Sequence, residues 1–136
     1  MKIYTDGACR GNPGPAAVAF IAYANTEIRK SSYIGLSTNN RAEYAAVLSA
    51  LGYLSSLQGF DEIELFTDSE LVVRQLLGEY KVTNAILLPL YNKVMELTEN
   101  SVLVPTHVPR DHPIIKECDA MCNRVLDEET ARGRVW

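Results

Sequence analysis

The sequence predicts a mixed α/β domain built on one five-stranded sheet, three leading strands antiparallel and two later ones parallel. Three observations carry this. The first third of the chain is apolar at strand length between Asp-Gly, Asn-Pro-Gly-Pro and Asn-Thr breaks. After Asn39-Asn40 the apolar period shifts to helical spacing. From there helix-like and strand-like stretches alternate to the end, as parallel crossovers require.

Residues 1–5 form a short apolar run that ends at the turn signal Asp6-Gly7. Residues 11–15 are a loop by composition, and 16–23 an apolar strand through Val18, Phe20, Ile21 and Tyr23. Asn25-Thr26 reads as a hairpin turn into a partly exposed third strand, 28–36. Ala42, Ala45, Ala46, Leu51, Tyr53, Leu54 and Leu57 give the first long helix an apolar face, with Asn39 or Asn40 as its N-cap and Gly59 as its stop. Residues 62–67 are the fourth strand, and Asp68-Ser69 caps a short helix through about residue 77, closed by Gly78. Residues 84–99 are a longer helix disturbed at Pro89, whose ring removes a donor. Residues 102–108 are a strand that Pro105 assigns to a sheet edge. The last helix spans about 115–129.

With 136 residues, 47% hydrophobic and 22% charged, the chain is of ordinary globular composition and one domain in size, which excludes a disordered chain. No repeat or linker divides it. Lys plus Arg is 13 and Asp plus Glu 17, a net charge of −4, so overall charge cannot attract a polyanion; a cation or a few local groups must do so. The uncharged windows, 11–26 and 44–60, are broken by Pro, Gly and Ser and are too short to span a bilayer. Three cysteines without a CxxC pair argue against a disulfide framework and for a reducing, cytoplasmic location. No targeting segment is read at the start, and a monomer is expected.

Four acids occupy positions that strand and helix ends make chemically interesting. Asp6 is read as following the first strand, Glu43 as lying in the first turn of the first helix, Asp68 as following the fourth strand, and Asp119 as near the start of the last helix. Each has an ordinary structural use as a turn, cap or surface acid. Yet Asp6 and Asp68 both fall at carboxyl ends of strands, where open α/β sheets place their ligand crevice. Neighbouring carboxylates repel unless cations lie between them, and hard divalent ions prefer oxygen ligands. A pair of such ions suits water attack on phosphate.

The segments Tyr4-Thr5-Asp6-Gly7-Ala8-Cys9-Arg10-Gly11-Asn12-Pro13-Gly14, Thr38-Asn39-Asn40-Arg41-Ala42-Glu43, Phe66-Thr67-Asp68-Ser69 and Glu117-Cys118-Asp119 resemble, in order, the four motifs of type 1 ribonuclease H. The resemblance covers essentially the whole chain and implies a ribonuclease H-like fold. It implies that Asp6, Glu43, Asp68 and Asp119 hold two Mg2+ ions, with Mn2+ as a substitute. It further implies hydrolysis of the RNA strand of RNA–DNA hybrids to 5′-phosphate and 3′-hydroxyl ends. By the same resemblance Glu43 also meets the ribose 2′-hydroxyl, Cys9, Gly11, Asn12, Asn39 and Asn40 line the minor groove, and Thr38 contacts a DNA phosphate.

The chain also departs from that pattern. Glu70 stands where well-studied bacterial members carry a groove-contacting Gln. The segment 78–82 followed by one helix leaves no room for their basic protrusion, and residues 70–82 resemble the compact archaeal and plant-like branch instead. With no hybrid-binding domain read ahead of Met1, weak affinity and steep salt dependence are expected. The loop Val108-Pro109-Arg110-Asp111-His112 puts His112 closer to Asp119 than the family's usual loop histidine, so Arg110 is an auxiliary phosphate-contact candidate and His112 an auxiliary candidate or a solvated loop residue. His107 reads as a packed or edge side chain. Cys118 and Cys122, one turn apart, read as packing, not as a zinc site, which would need two more ligands. Arg132 and Arg134 read as a frayed tail. The alternatives are cleavage of double-stranded RNA as well, a non-catalytic hybrid-binding module, and an integrase-type core. The last lacks room for DNA-binding appendages, and retention of all four acids argues against the binding module.

Overall fold

The computed structural model describes residues 1–55 and 61–133. Its elements in chain order are β1 (Lys2–Cys9), β2 (Gly14–Tyr23), β3 (Glu27–Ser37), α1 (Asn39–Ser55), β4 (Glu62–Thr67), α2 (Glu70–Leu76), α3 (Leu87–Leu97), β5 (Val102–His107) and α4 (Pro113–Ala131). The five strands form one sheet in the order β3-β2-β1-β4-β5. β1–β2 and β2–β3 are antiparallel, while β1–β4 and β4–β5 are parallel. The expected sheet is therefore present, with β5 at the edge that Pro105 requires.

Strand parity divides the core between two faces. On one, Ile3, Phe20, Ile63 and Leu65 meet Val47, Leu51 and Leu54 of α1 and residues of α2 and α3. On the other, Ala17, Ala19 and Ile21 of β2 meet Cys118, Met121, Cys122 and Leu126 of α4. The first face carries large side chains and three helices; the second carries small ones and a single helix.

Several local readings need correction. β1 does not stop before Asp6-Gly7 but runs through both to Cys9, with Asp6 opposite Ala19. Gly7 makes no turn there. A Cβ on it would overlap the Ala42 carbonyl and crowd the Glu43 nitrogen, so the bare glycine is where α1 rests on the strand. α1 is capped by Thr38, whose hydroxyl accepts from Arg41 N at 3.4 Å, because Asn39 and Asn40 are already helical. Glu43 consequently lies in the second turn. Pro89 does not disturb α3: the helix begins at Leu87, so the proline sits in the first turn, where its missing N–H costs no helical bond. Asn84 Oδ1 accepts from Ile86 N and Leu87 N in the turn before it. α4 begins at Pro113 rather than Ile115, with the proline inside the first turn, which makes Asp119 its seventh residue. Gly59, Leu57 and Arg134 lie outside the described residues. Among the described residues no helix is long and apolar enough to cross a membrane.

Candidate active site

β1 and β4 pair in parallel as far as Tyr4 and Phe66, whose rings stack at 4.6 Å. Asp6 and Asp68 each stand two residues beyond that pair, so the register brings them level at the carboxyl end of the sheet. The chain leaves β1 toward β2 on one side while β4 lies on the other, the switch point at which such sheets open a crevice. A cleft of about 860 Å³ lies there, and Asp6, Glu43, Asp68 and Asp119 all line it.

Oxygen atoms of Asp6, Glu43 and Asp68 lie within 4.8 Å of one another. Glu43 reaches them because α1 rests on Gly7, and its Oε1 accepts the Gly7 N–H at 2.7 Å. Asp6 is buried and its carboxyl is pushed up to about 8, by burial first and then by Asp68 and Asp119, with Arg110 opposing. Glu43 is also raised well above the usual carboxylate range, by burial and then by Asp6 and Asp68, against the Gly7 N–H. Burial and mutual repulsion thus make it costly to ionise these carboxyls together unless a cation lies between them. Arg110 approaches Asp68 at 3.6 Å, but its guanidinium is 94% exposed and is a weak counter-ion. An all-oxygen donor set fits hard divalent cations.

Asp119 is exposed on α4 and lies outside the three-carboxylate cluster, though close enough to raise Asp6. Its Oδ2 accepts from Asn123 Nδ2 at 3.3 Å. Asn123 Oδ1 in turn accepts from Arg10, which also reaches Asp127. Neither Arg10 nor Asn123 is among the site candidates the sequence offers; the spacing Asp119, Asn123, Asp127, one residue per helical turn, is the signal it carries for them.

Of the groove candidates, Cys9, Asn39 and Asn40 line the cleft. Cys9 Sγ donates to Ser37 O at 3.5 Å. Gly11 has φ +100°, a left-handed conformation that glycine tolerates, and carries the loop to Asn12. Asn12 Oδ1 accepts from Asn39 N at 3.0 Å, tying the β1–β2 loop to the start of α1, beside the Thr38 cap. Glu70 and His112 are not part of the cleft lining. Glu70 is held by Arg74 at 2.8 Å, which keeps its carboxyl below the usual range. His112 is not a loose loop residue: its Nδ1 accepts from Ile114 N at 3.1 Å as the N-cap of α4, and its ring lies 5.3 Å from that of Tyr4. His107 is an exposed edge side chain with Nε2 3.2 Å from Asp68 O. Cys118 and Cys122 are buried free thiols in the α4 packing, so the packing reading stands. Arg132 bonds Glu129 at 3.1 Å.

The RNase H family model matches residues 1–108. Ribonuclease HI of Halobacterium salinarum is 40% identical over 132 residues, 94% of this chain and 65% of that protein. A bifunctional protein of Mycobacterium tuberculosis is 41% identical over 71% of this chain and 28% of its own length. The chain therefore spans less than two thirds of either relative. Among solved structures, LC11-RNase H1 in complex with an RNA/DNA hybrid superimposes with a TM-score of 0.87 at 35% identity, covering 95% of this chain and 98% of that one. RNase H1 of Halobacterium salinarum gives 0.84 at 38% identity, covering 93% and 97%.

Proposed function

The chain belongs to the ribonuclease H family, and on that premise we propose that it is an endoribonuclease that hydrolyses the RNA strand of RNA–DNA hybrids, leaving 5′-phosphate and 3′-hydroxyl ends. The observation that carries the reading is the cluster of Asp6, Glu43 and Asp68, with oxygens within 4.8 Å at the head of an open cleft, and Asp119 on its wall. These four side chains would hold divalent ions, two Mg2+ in our reading with Mn2+ able to substitute. When bound, such ions activate water and neutralise charge on the leaving oxygen.

The remaining steps belong to the chain. In this reading Glu43, held by the Gly7 N–H, would also accept a hydrogen bond from the 2′-hydroxyl beside the scissile phosphate. Asn39 and Asn40 offer amides that both donate and accept at the cleft wall, and Cys9 offers a small surface for close approach. Gly11, Asn12 and Thr38 complete the loops on which the duplex would lie. Glu70 cannot donate to a base, and its pairing to Arg74 removes part of its repulsion toward phosphate. Arg110, almost fully exposed beside Asp68, is free to turn toward a phosphate. His112, as a helix cap, supports the loop rather than the chemistry. The protein acts in this reading as a monomeric single domain in the cytoplasm.

The test is cleavage of an end-labelled RNA strand offered as hybrid, as double-stranded RNA and as single strand, with Mg2+, Mn2+ or chelator, beside Asp6→Asn. The expected result is metal-dependent cutting of the hybrid, lowered at least about a thousandfold in Asp6→Asn. Binding of hybrid without cutting would overturn the reading in favour of a binding module. Equal cutting of double-stranded RNA would widen the substrate.

A further inference from the structure

Of the four carboxylates, Asp119 is the one on an exposed helical surface, and among the described residues no backbone N–H holds its side chain as Gly7 holds Glu43. What holds it is a polar relay. Asn123 Nδ2 donates to Asp119 Oδ2 at 3.3 Å and to Asp119 O at 3.1 Å. An amide can turn either end toward a neighbour, and a carboxylate needs the NH2 end. Arg10 decides the matter: its Nη2 donates to Asn123 Oδ1 at 3.4 Å and to Asn123 O at 3.3 Å, which fixes the oxygen outward and the NH2 toward Asp119. Asp127, one turn further along α4, anchors Arg10 at 2.6 Å. Arg10 directly follows β1, the strand that carries Asp6, so one guanidinium ties the turns of α4 beyond Asp119 to the strand end opposite it.

We propose that Arg10 and Asn123 are positioning residues that hold Asp119 toward Asp6, so that the fourth carboxylate is presented to a divalent ion before nucleic acid arrives. This rests on the function proposed above but is read without substrate. It asks little of stability: Arg10 and Asp127 are 38% and 71% exposed, and such pairs contribute little to folding. What the relay supplies is direction.

The experiment compares Arg10→Ala and Asn123→Ala with the parent, and with Arg29→Ala as a matched control. Arg29 also clamps α4, through Glu117 at 3.2 Å, but touches neither Asp119 nor Asn123. Mn2+ binding is measured by calorimetry and by electron paramagnetic resonance with no nucleic acid present, and kcat and KM are measured on hybrid. Both relay variants should bind Mn2+ several-fold more weakly and lose about tenfold in kcat, with KM within about twofold. Arg29→Ala should match the parent. In an Asp119→Asn background, Arg10→Ala should have no further effect, because its route is already cut.

Unchanged Mn2+ binding and kcat in both relay variants would overturn the proposal. So would a rise in KM alone, which would make Arg10 a nucleic-acid contact, or an equal loss in Arg29→Ala, which would make the effect one of helix docking. If the parent cuts no hybrid but the relay variants still weaken Mn2+ binding, the positioning role stands and the proposed activity falls.

Discussion

α1 and α4 pack on opposite faces of the sheet, and each carries one carboxylate to the same cleft. α1 does so by backbone: it rests on Gly7, its Glu43 takes the Gly7 N–H, and the core beneath it is Phe20, Val47, Leu51 and Leu54. α4 rests on Ala17, Ala19 and Ile21 through two cysteines, and its Asp119 is oriented by side chains alone. The difference teaches where rigidity resides. Glu43 is held by the backbone on which its helix rests, whereas Asp119 is held only through another side chain. The three carboxylates on β1, just past β4 and on α1 form the fixed part of the site, and the fourth, held through side chains, is its adjustable part.

Gly7→Ala is the strongest way to break this contrast. The new methyl group meets the Ala42–Glu43 backbone, which cannot swing aside as a side chain can, so α1 must shift. A loss of about 3 kcal/mol in urea unfolding is expected, with at least about a hundredfold loss in kcat, since displacement by 1 Å is enough to spoil a reacting geometry. Parent-like stability in this variant would mean that α1 is not seated on the strand as described. The relay variants on the α4 side are expected to lose about a tenth as much activity and almost no stability.

A smaller effect, which sharpens the contrast electrostatically, is the pH dependence of the metal-free protein. The folded-state value of Asp6 is raised from 3.8 to about 8, and that of Glu43 is raised as well. Between those limits the native state therefore binds more protons than the unfolded chain, and stability must fall as pH rises. That stability is fully present below about pH 4 and is lost through pH 8. In chelator, the midpoint of thermal unfolding should drop by several degrees from pH 5 to pH 8. Asp6→Asn should flatten the slope, and Mg2+ or Mn2+ should restore stability most at the higher pH. A midpoint that rises over this range would show that the cluster is not strained by its own charge.

Much of this was legible in the chain, and the limits have physical causes. Alternation, helical spacing and Pro105 were local signals, and they located the five strands and the edge. Asp6 and Asp68 could be paired because two strand ends sufficed to place them. Gly7 was misread because a glycine after an aspartate looks the same whether it turns the chain or admits a helix 35 residues away; only the crossing of α1 distinguishes the two. Thr38 lost the cap to Asn39 and Asn40 because three good capping residues stand in a row. His112 reads as a solvated loop residue because its capping bond depends on where α4 begins, and the sequence reading starts that helix two residues after Pro113. Arg10 was invisible as a partner of α4, since its bonds span 113 and 117 residues.

The smallest expected effect lies in the packing of α4. Cys122 is buried, and its Sγ approaches Asp6 O at 3.5 Å and Ala17 O at 3.6 Å, directly beneath the acidic cluster. A thiol is a weak donor at such distances, and burial pushes its ionisation up, so it acts as a small apolar filler. Cys122→Ala should cost about 1 kcal/mol in urea unfolding, the loss of one buried atom's contacts. Its kcat should stay within about twofold of the parent, because the relay from Arg10, and not the sulfur beneath, aims Asp119. The size of that kcat change is the discriminating quantity. A tenfold loss from removing one sulfur would mean that α4, like α1, delivers its carboxylate through the helix itself, and the distinction between a fixed and an adjustable half of the site would collapse.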